Sequence, residues 1–322
     1  MHAPTLDDAT SQPRSTRFAP SPTGALHLGN ARTFLINWAL ARKSAWSILL
    51  RIEDIDHPRV KPETVEQART DITWLGLDWD SEAPLQSTEL APCHQALKDL
   101  GRAGRIFACD LSRREIAAAQ SAPHDSDPGL RYEASLRPAH AGEQVADPDP
   151  SLTWRFLVDN TTQTVQDGFA GEHRFNIADG VGDFPVWTAT GGPAYQLAVT
   201  VDDARQGITD VVRASDLLPS AARQQAIQQV LGLPTPNWWH LPLVRGNDGR
   251  RLAKRHGDTR LSQLRETGVP ASRVIGLMAY WCGLCPEPTE LNSSDFLACF
   301  NLDLLPQEDI TFTPEHLAWL NA

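Results

Sequence analysis

The chain has 322 residues, 41% of them hydrophobic, and a formal net charge of -11. That length buries a sizeable core and accommodates two or three domains or subdomains. It contains no apolar run long enough for a transmembrane helix, and its first residues, MHAPTLDDATSQPRST, lack the apolar centre of a signal peptide.

Five cysteines, at 93, 109, 282, 285 and 299, are too few and odd in number for a disulfide framework. A reducing cytoplasm is the expected location. The acidic balance argues against general nucleic-acid binding, although RRLAKRHGDTR (250–260) is a local basic patch.

In chain order, residues 1–16 read as a disordered tail. STRFAP reads as a short strand, LGNARTFLINWALARK as a helix with a basic end, and WSILLRIEDID as a buried strand running into acids. PETVEQARTDITWLGL is a second amphipathic helix with Pro62 suited to its first turn. Strand, helix, strand, helix predicts a parallel, doubly wound α/β sheet whose first half covers 17–108. Over 109–193 the chain turns to Pro-, Gly- and Asp-rich loops between short strands, LTWRFLVD, QTVQDGFAGEH and FPVWTATGG, which reads as an inserted mixed α+β subdomain. The second half of the sheet is expected over 194–246, with YQLAVTV as a strand. A small, mostly helical subdomain follows over 247–322, after the strand WWHLPLV.

PSPTGALHLGN falls between a strand and a helix, where ligands of parallel sheets bind. Its glycines permit close backbone approach, and a helix start offers unpaired N–H groups that suit phosphate. His27 and Asn30, three apart, can face one ligand from the first turn. Taken alone, the tetrapeptide HLGN reads equally well as a turn with a capping residue.

The whole stretch RFAPSPTGALHLGNART (17–33) resembles the first signature of the glutamyl-tRNA synthetase family, with HLGN in place of the class I HIGH tetrapeptide. The resemblance continues through LLRIEDID (49–56), YQLAVTVDDARQGITDVVRASDLLPSAARQ (195–224) and RLAKR (251–255), which stands where the family carries its KMSKS loop. It implies a Rossmann-like class I catalytic domain. It also implies a glutamate pocket built from Arg17, Phe18, Ala19, Pro20, Ser21, Glu53, Tyr195 and Arg213. Guanidinium–carboxylate pairing explains the two arginines, and an acid for the substrate ammonium explains Glu53. For ATP, taken with Mg²⁺ as a substrate complex, it implies Gly24, His27, Gly29, Asn30, Arg251, Lys254 and Arg255, with His27, Asn30 and Lys254 carrying the catalysis. Lys254 would offset charge on the phosphates as glutamate attacks in line. Ala253 and Arg251 depart from the usual serine and lysine of the second signature.

Only 67 residues follow Arg255, which leaves room for a linking subdomain but not for an anticodon-binding domain. In this the chain resembles the truncated paralogues of the family, the glutamyl-Q tRNA(Asp) synthetases. That resemblance implies tRNA-independent activation of glutamate and its transfer to queuosine in the anticodon of tRNA(Asp). Such an enzyme is expected as a cytoplasmic monomer with no membrane contact. The paralogues commonly bind zinc through a C-x-C pair and a later Y-x-x-x-C. Here those positions hold Cys109, Leu111, Tyr132 and Leu136, so no zinc is expected, with the two leucines packing in its place. Asp110, His124 and Asp125 leave a rearranged site conceivable. CGLC (282–285) reads as structural thiols. Three alternatives stay open at this point: a truncated enzyme charging the 3′ end of tRNA(Glu), a non-catalytic nucleotide-binding paralogue, and another nucleotidyltransferase.

Overall fold

The computed structural model describes residues 13–55, 60, 62–112, 114–116, 131–250, 252 and 259–322. Arg251, Ala253, Lys254 and Arg255, with His124 and Asp125, lie outside the described residues.

The first half is a parallel three-stranded sheet, β1 (Ser15–Phe18), β2 (Ser47–Leu50) and β3 (Ser81–Glu82), wound with α1 (Leu28–Lys43) and α2 (Pro62–Trp74). Ser15 and Thr16 belong to β1, and Arg14 pairs with buried Asp210. The first strand therefore starts before Arg17, at Ser15. His27 caps α1, and Arg42 and Lys43 occupy its last turn, where cations complement the helix dipole. Helix α3 (Ala91–Arg102) then leads to β4 (Ile106–Ala108).

β4 lies before the expected boundary at 108, yet it pairs with the strands that follow it. It joins β5 (Trp154–Phe156), β8 (Phe184–Thr188) and β9 (Gly192–Pro193) in an antiparallel sheet. The hairpin of β6 (Thr162–Asp167) and β7 (Gly171–Asn176) instead extends the second parallel pair, β10 (Asp210–Ala214) and β11 (Asn237–Leu241), in the order β10-β11-β6-β7. Gly182 shows why the inserted region turns where it does. Its φ is +66°, and a Cβ there would stand 1.9 Å from the Tyr132 carbonyl oxygen, so only glycine fits.

The stretch YQLAVTV, expected as a strand, is part of helix α4 (Tyr195–Arg205). Residues 196–203 are all buried, so the helix has no solvent face and none of the periodicity that would reveal it. Its Val and Thr run imitates a buried strand. Helix α5 (Leu218–Leu231) follows β10. The parallel sheet is split between the two halves, and β1 meets β10 at its edge, where Thr209 N–H donates to the Ser15 carbonyl over 3.0 Å.

After β11 come β12 (Val244–Gly246), α6 (Leu261–Glu266), α7 (Ala271–Trp281) and α8 (Ser293–Cys299). The chain then forms β13 (Ile310–Phe312), which pairs in parallel with β12, and α9 (Pro314–Asn321). These helices are not a separate body. Val274, Met278 and Leu320 share one core with Phe18, Leu35 and Ile48 of the first half. A second core merges the inserted region with the second half through Trp154, Phe156, Leu197, Val211 and Trp238. Among the described residues no helix is long and apolar enough to cross a membrane.

Candidate functional site

The carboxyl ends of β1, β2 and β10 meet, as the switch point of a parallel sheet requires. Arg51 N–H donates to the Phe18 carbonyl over 2.8 Å, and Glu53 N–H to the Pro20 carbonyl over 3.0 Å. These bonds tie the loop after β1 to the loop after β2. A cavity of about 510 Å³ opens there. Arg17, Ala19, Pro20, Ser21, Glu53, Tyr195 and Arg213 line it, and so do Gly24, His27 and Asn30. Among the described residues, two expected ones do not. Phe18 is fully buried and packs against Phe34 with the rings tilted and their centroids 5.4 Å apart. A Cβ on Gly29 would meet the His27 ring at 3.0 Å and Val244 at 3.8 Å, so Gly29 serves the helix packing. Phe18 follows the strand alternation into the core, which separates it from its neighbours in the motif. A larger groove of about 1040 Å³ lies between Lys43, Trp239 and Phe300, but it gathers none of the expected site residues.

The charged wall of the cavity rests on a buried network. Arg17 Nε donates to Asp203 Oδ1 over 3.1 Å. Arg51 Nη1 donates to the same oxygen over 2.8 Å, and its Nη2 donates to Glu53 Oε1 over 2.9 Å. Burial alone would raise the Asp203 carboxyl, but Arg17 and Arg51 hold it below the ordinary carboxylate value. Glu53 goes the other way: burial raises it, and Arg51 and Arg17 only partly offset that. Asp54, beside it, accepts from Ser87 N–H and Ser87 Oγ at 2.8 and 2.6 Å. Neither acid is a solvated strand end.

Arg213 is placed differently. It is 5% exposed, and its acceptors among the described residues are neutral: His240 Nε2 at 2.9 Å, Gln224 Oε1 at 3.0 Å and the Leu217 carbonyl at 3.2 Å. Burial lowers its pKa from the ordinary arginine value. Gln224 is itself held by Gln196, which accepts from its amide over 3.0 Å. Register explains the histidine, because Arg213 of β10 stands opposite His240 of β11. Tyr195 is 41% exposed at the cavity mouth.

The start of α1 closes the other side. His27 Nδ1 accepts from Gly29 N–H over 3.1 Å, and Asn30 Oδ1 accepts from His27 N–H over 3.1 Å. The two side chains therefore form a capping box as well as lining the cavity. Leu28 N–H donates to the Thr259 carbonyl over 3.0 Å. Thus two first-turn amides expected to be open to phosphate are already bonded to protein. That same bond, with Leu261 N–H donating to the Leu26 carbonyl at 2.9 Å and the bridge between His27 and Arg260, sets the segment after the basic loop against the HLGN turn.

Sequence reading missed Arg51, Asp203, Gln224, His240 and Asp167. Arg51 and Asp203 sat inside quoted motifs, in LLRIEDID and VDDARQ. Paired acids and a lone arginine in otherwise apolar segments were the available signal.

At the positions where the paralogues bind zinc, Cys109 is buried, and Arg155 Nε lies 3.3 Å from its Sγ. The Arg155 guanidinium covers the Tyr132 ring at 4.4 Å, and Tyr132 Oη donates to the Leu136 carbonyl over 2.8 Å. Leu136 packs against this small core, but Leu111 is 37% exposed and replaces nothing by packing. A guanidinium on the thiol and two leucines in ligand positions do not fit a tetrahedral zinc. Among the described residues no three His, Cys, Asp or Glu side chains group to hold a metal ion. Cys282 and Cys285 are free thiols, buried and half-buried, and burial raises both above the ordinary thiol value.

The family described as tRNA synthetases class I (E and Q), catalytic domain, matches residues 14–295. The chain is 46% identical over 282 residues to a glutamyl-Q tRNA(Asp) synthetase of Rhodopirellula baltica, covering 84% of this chain and 85% of that one. It is 42% identical over 319 residues to a protein of the same name from Symbiobacterium thermophilum, covering 95% and 98%. A crystal structure of glutamate-tRNA synthetase from Elizabethkingia anophelis superposes with a TM-score of 0.78 at 22% identity, over 96% of this chain and 70% of that one; this likeness concerns the fold. The chain belongs to the class I tRNA synthetases for glutamate and glutamine, in the glutamyl-Q tRNA(Asp) synthetase family.

Proposed function

We propose that the protein is an ATP-dependent ligase that activates glutamate and transfers it to the queuosine base of tRNA(Asp). Support comes from relatives of that name along almost the whole chain. The observation that carries the reading is a buried cation, Arg213, whose hydrogen-bond acceptors among the described residues are neutral, in the same cavity as Glu53 and the start of α1. A buried guanidinium whose direct acceptors among the described residues are all neutral calls for an anionic ligand. Glu53 offers a carboxylate oxygen for an ammonium group, and Arg17, Ser21 and Tyr195 complete the amino-acid side.

On this reading a carboxylate oxygen of glutamate attacks the α-phosphorus of ATP and pyrophosphate leaves. A queuosine hydroxyl then attacks the activated carbonyl carbon and AMP leaves. Neither step needs a protein nucleophile; positioning and charge do the work. Gly24, His27 and Asn30 stand on the nucleotide side, and Arg251, Lys254 and Arg255 are assigned to the phosphates from their motif. Mg²⁺ enters with ATP and screens its phosphate charge. The Cys109–Arg155–Tyr132 cluster supports an inserted region that holds its shape without zinc.

The test is transfer of labelled glutamate to tRNA with and without queuosine. Label on queuosine-bearing tRNA(Asp) alone is expected. Label on the 3′ end of tRNA(Glu) would replace this reading with ordinary aminoacylation.

A further inference from the structure

An imidazole nitrogen accepts a hydrogen bond only when it carries no proton. Arg213 Nε donates to His240 Nε2 over 2.9 Å, so the proton of a neutral His240 must sit on Nδ1. Nδ1 faces Asp167 Oδ2 at 2.5 Å, and an ionised carboxylate can only accept. Both His240 and Asp167 are buried. Burial lowers the His240 pKa, and the neighbouring Arg213 charge adds to that against the pull of Asp167.

Asp167 is itself fixed on every side. Its Oδ1 accepts from Phe169 N–H at 2.9 Å and Ala170 N–H at 2.7 Å, and its Oδ2 accepts from His240 N–H at 3.1 Å. Burial, which would raise its carboxyl, is outweighed by His240 and these amides, so Asp167 stays ionised. The aspartate comes from the end of β6, in the inserted region, and the arginine from β10, with β11 between them. One row of side chains thus crosses the sheet from the insertion to the cavity.

We infer that Asp167 and His240 are positioning residues for Arg213: Asp167 fixes the Nδ1–H tautomer, and that tautomer alone offers Arg213 an acceptor that aims its guanidinium into the cavity. The neutral ring also leaves the Arg213 charge unspent for the ligand, which a carboxylate in direct contact would not. The opposite tautomer, or a doubly protonated ring, would set an N–H against the Arg213 N–H and turn the guanidinium away. The inference rests on reading the cavity as a glutamate site.

Two measurements on the full chain test it. The first is the ring ¹⁵N spectrum of histidine-labelled protein at neutral pH, with the His240 signals identified by their absence in His240→Gln. The Nδ1–H tautomer is expected, and the Nε2–H tautomer would overturn the inference whatever the variants do. The second is glutamate-dependent ATP–pyrophosphate exchange. No exchange by the wild type would remove the glutamate reading itself. With exchange present, Asp167→Asn places an amide donor opposite Nδ1 and reverses the tautomer. Its KM for glutamate is expected to rise about tenfold or more, with the KM for ATP within about twofold. His240→Gln keeps an acceptor near the Nε2 position and is expected to hold the glutamate KM within about threefold, whereas His240→Ala raises it like Asp167→Asn. An unchanged glutamate KM in Asp167→Asn, or an equal rise in both KM values, would overturn the inference.

Discussion

Arg17 and Asp203 lock the first half of the sheet to the second: Arg17 Nε, on β1, donates over 3.1 Å to the Asp203 carboxylate in the last turn of α4, and both side chains are 4% exposed. Asp203 also holds Arg51, which in turn holds Glu53. One carboxylate therefore sets the geometry of two cations and, through them, one acid of the cavity.

Asp203→Asn is expected to cost about 3–5 kcal/mol in urea unfolding at pH 7, because it leaves buried arginines short of a counter-charge. The folded carboxyl lies below its unfolded value of 3.8. Its stabilisation is therefore present above that value and is lost as the pH falls through the folded pKa. The gap between wild type and variant should narrow in acid; a constant gap would mean that the charge is not the cause.

Variants can separate the observed cap made by His27 from its proposed contact with the nucleotide. His27→Ala removes the cap of α1 and should lose about 1 kcal/mol of stability, whereas His27→Asn, a good capping residue, should lose about half of that or less. If His27 also faces the nucleotide, exchange of pyrophosphate falls by orders of magnitude in both variants. Exchange that returns with the cap in His27→Asn would make the residue a structural cap alone.

Asp71 of α2 is fully buried, with neither oxygen hydrogen-bonded and Arg265 of α6 3.3 Å away. Burial pushes its carboxyl up to about 6, against the partial opposition of Arg265. Because the folded value exceeds the unfolded 3.8, its contribution is most favourable below 3.8 and is lost as the pH rises through 6. Asp71→Asn should stabilise the protein at pH 8 by on the order of 2 kcal/mol and change it little near pH 4, as read by thermal unfolding at both. A destabilised variant at pH 8 would show that the Arg265 pair outweighs burial.

The Cys109–Arg155–Tyr132 cluster gives the prediction for metal. Chelation should leave the melting temperature within about 1 °C, since a structural zinc contributes folding energy outright. Arg155→Ala removes the bond to the Asp183 carbonyl, 2.8 Å, and the contacts to Cys109 and Tyr132. It should cost about 2–3 kcal/mol. Melting that drops on chelation and recovers with zinc would overturn the metal-free reading.

Local sequence determined the capped helix behind HLGN and the strands around it, while Arg17, Glu53, Tyr195 and Arg213 were singled out by the resemblance of their motifs. Turn formers, caps and apolar runs act within a few residues and are written in order. It did not reveal that YQLAVTVDDAR is a helix, because a segment buried on all sides has no polar face to set a period. Nor did it reveal that Phe18 and Gly29 turn away from the cavity, which strand alternation and helix packing decide. The partners of the charged wall were least legible of all. Asp203 meets Arg17 across a sequence separation of 186, and Asp167 reaches Arg213 through His240 across separations of 73 and 27. Only strand register and shared cores bring such groups within hydrogen-bond distance, so the residue types were fixed by the chain and their pairing by the tertiary fold.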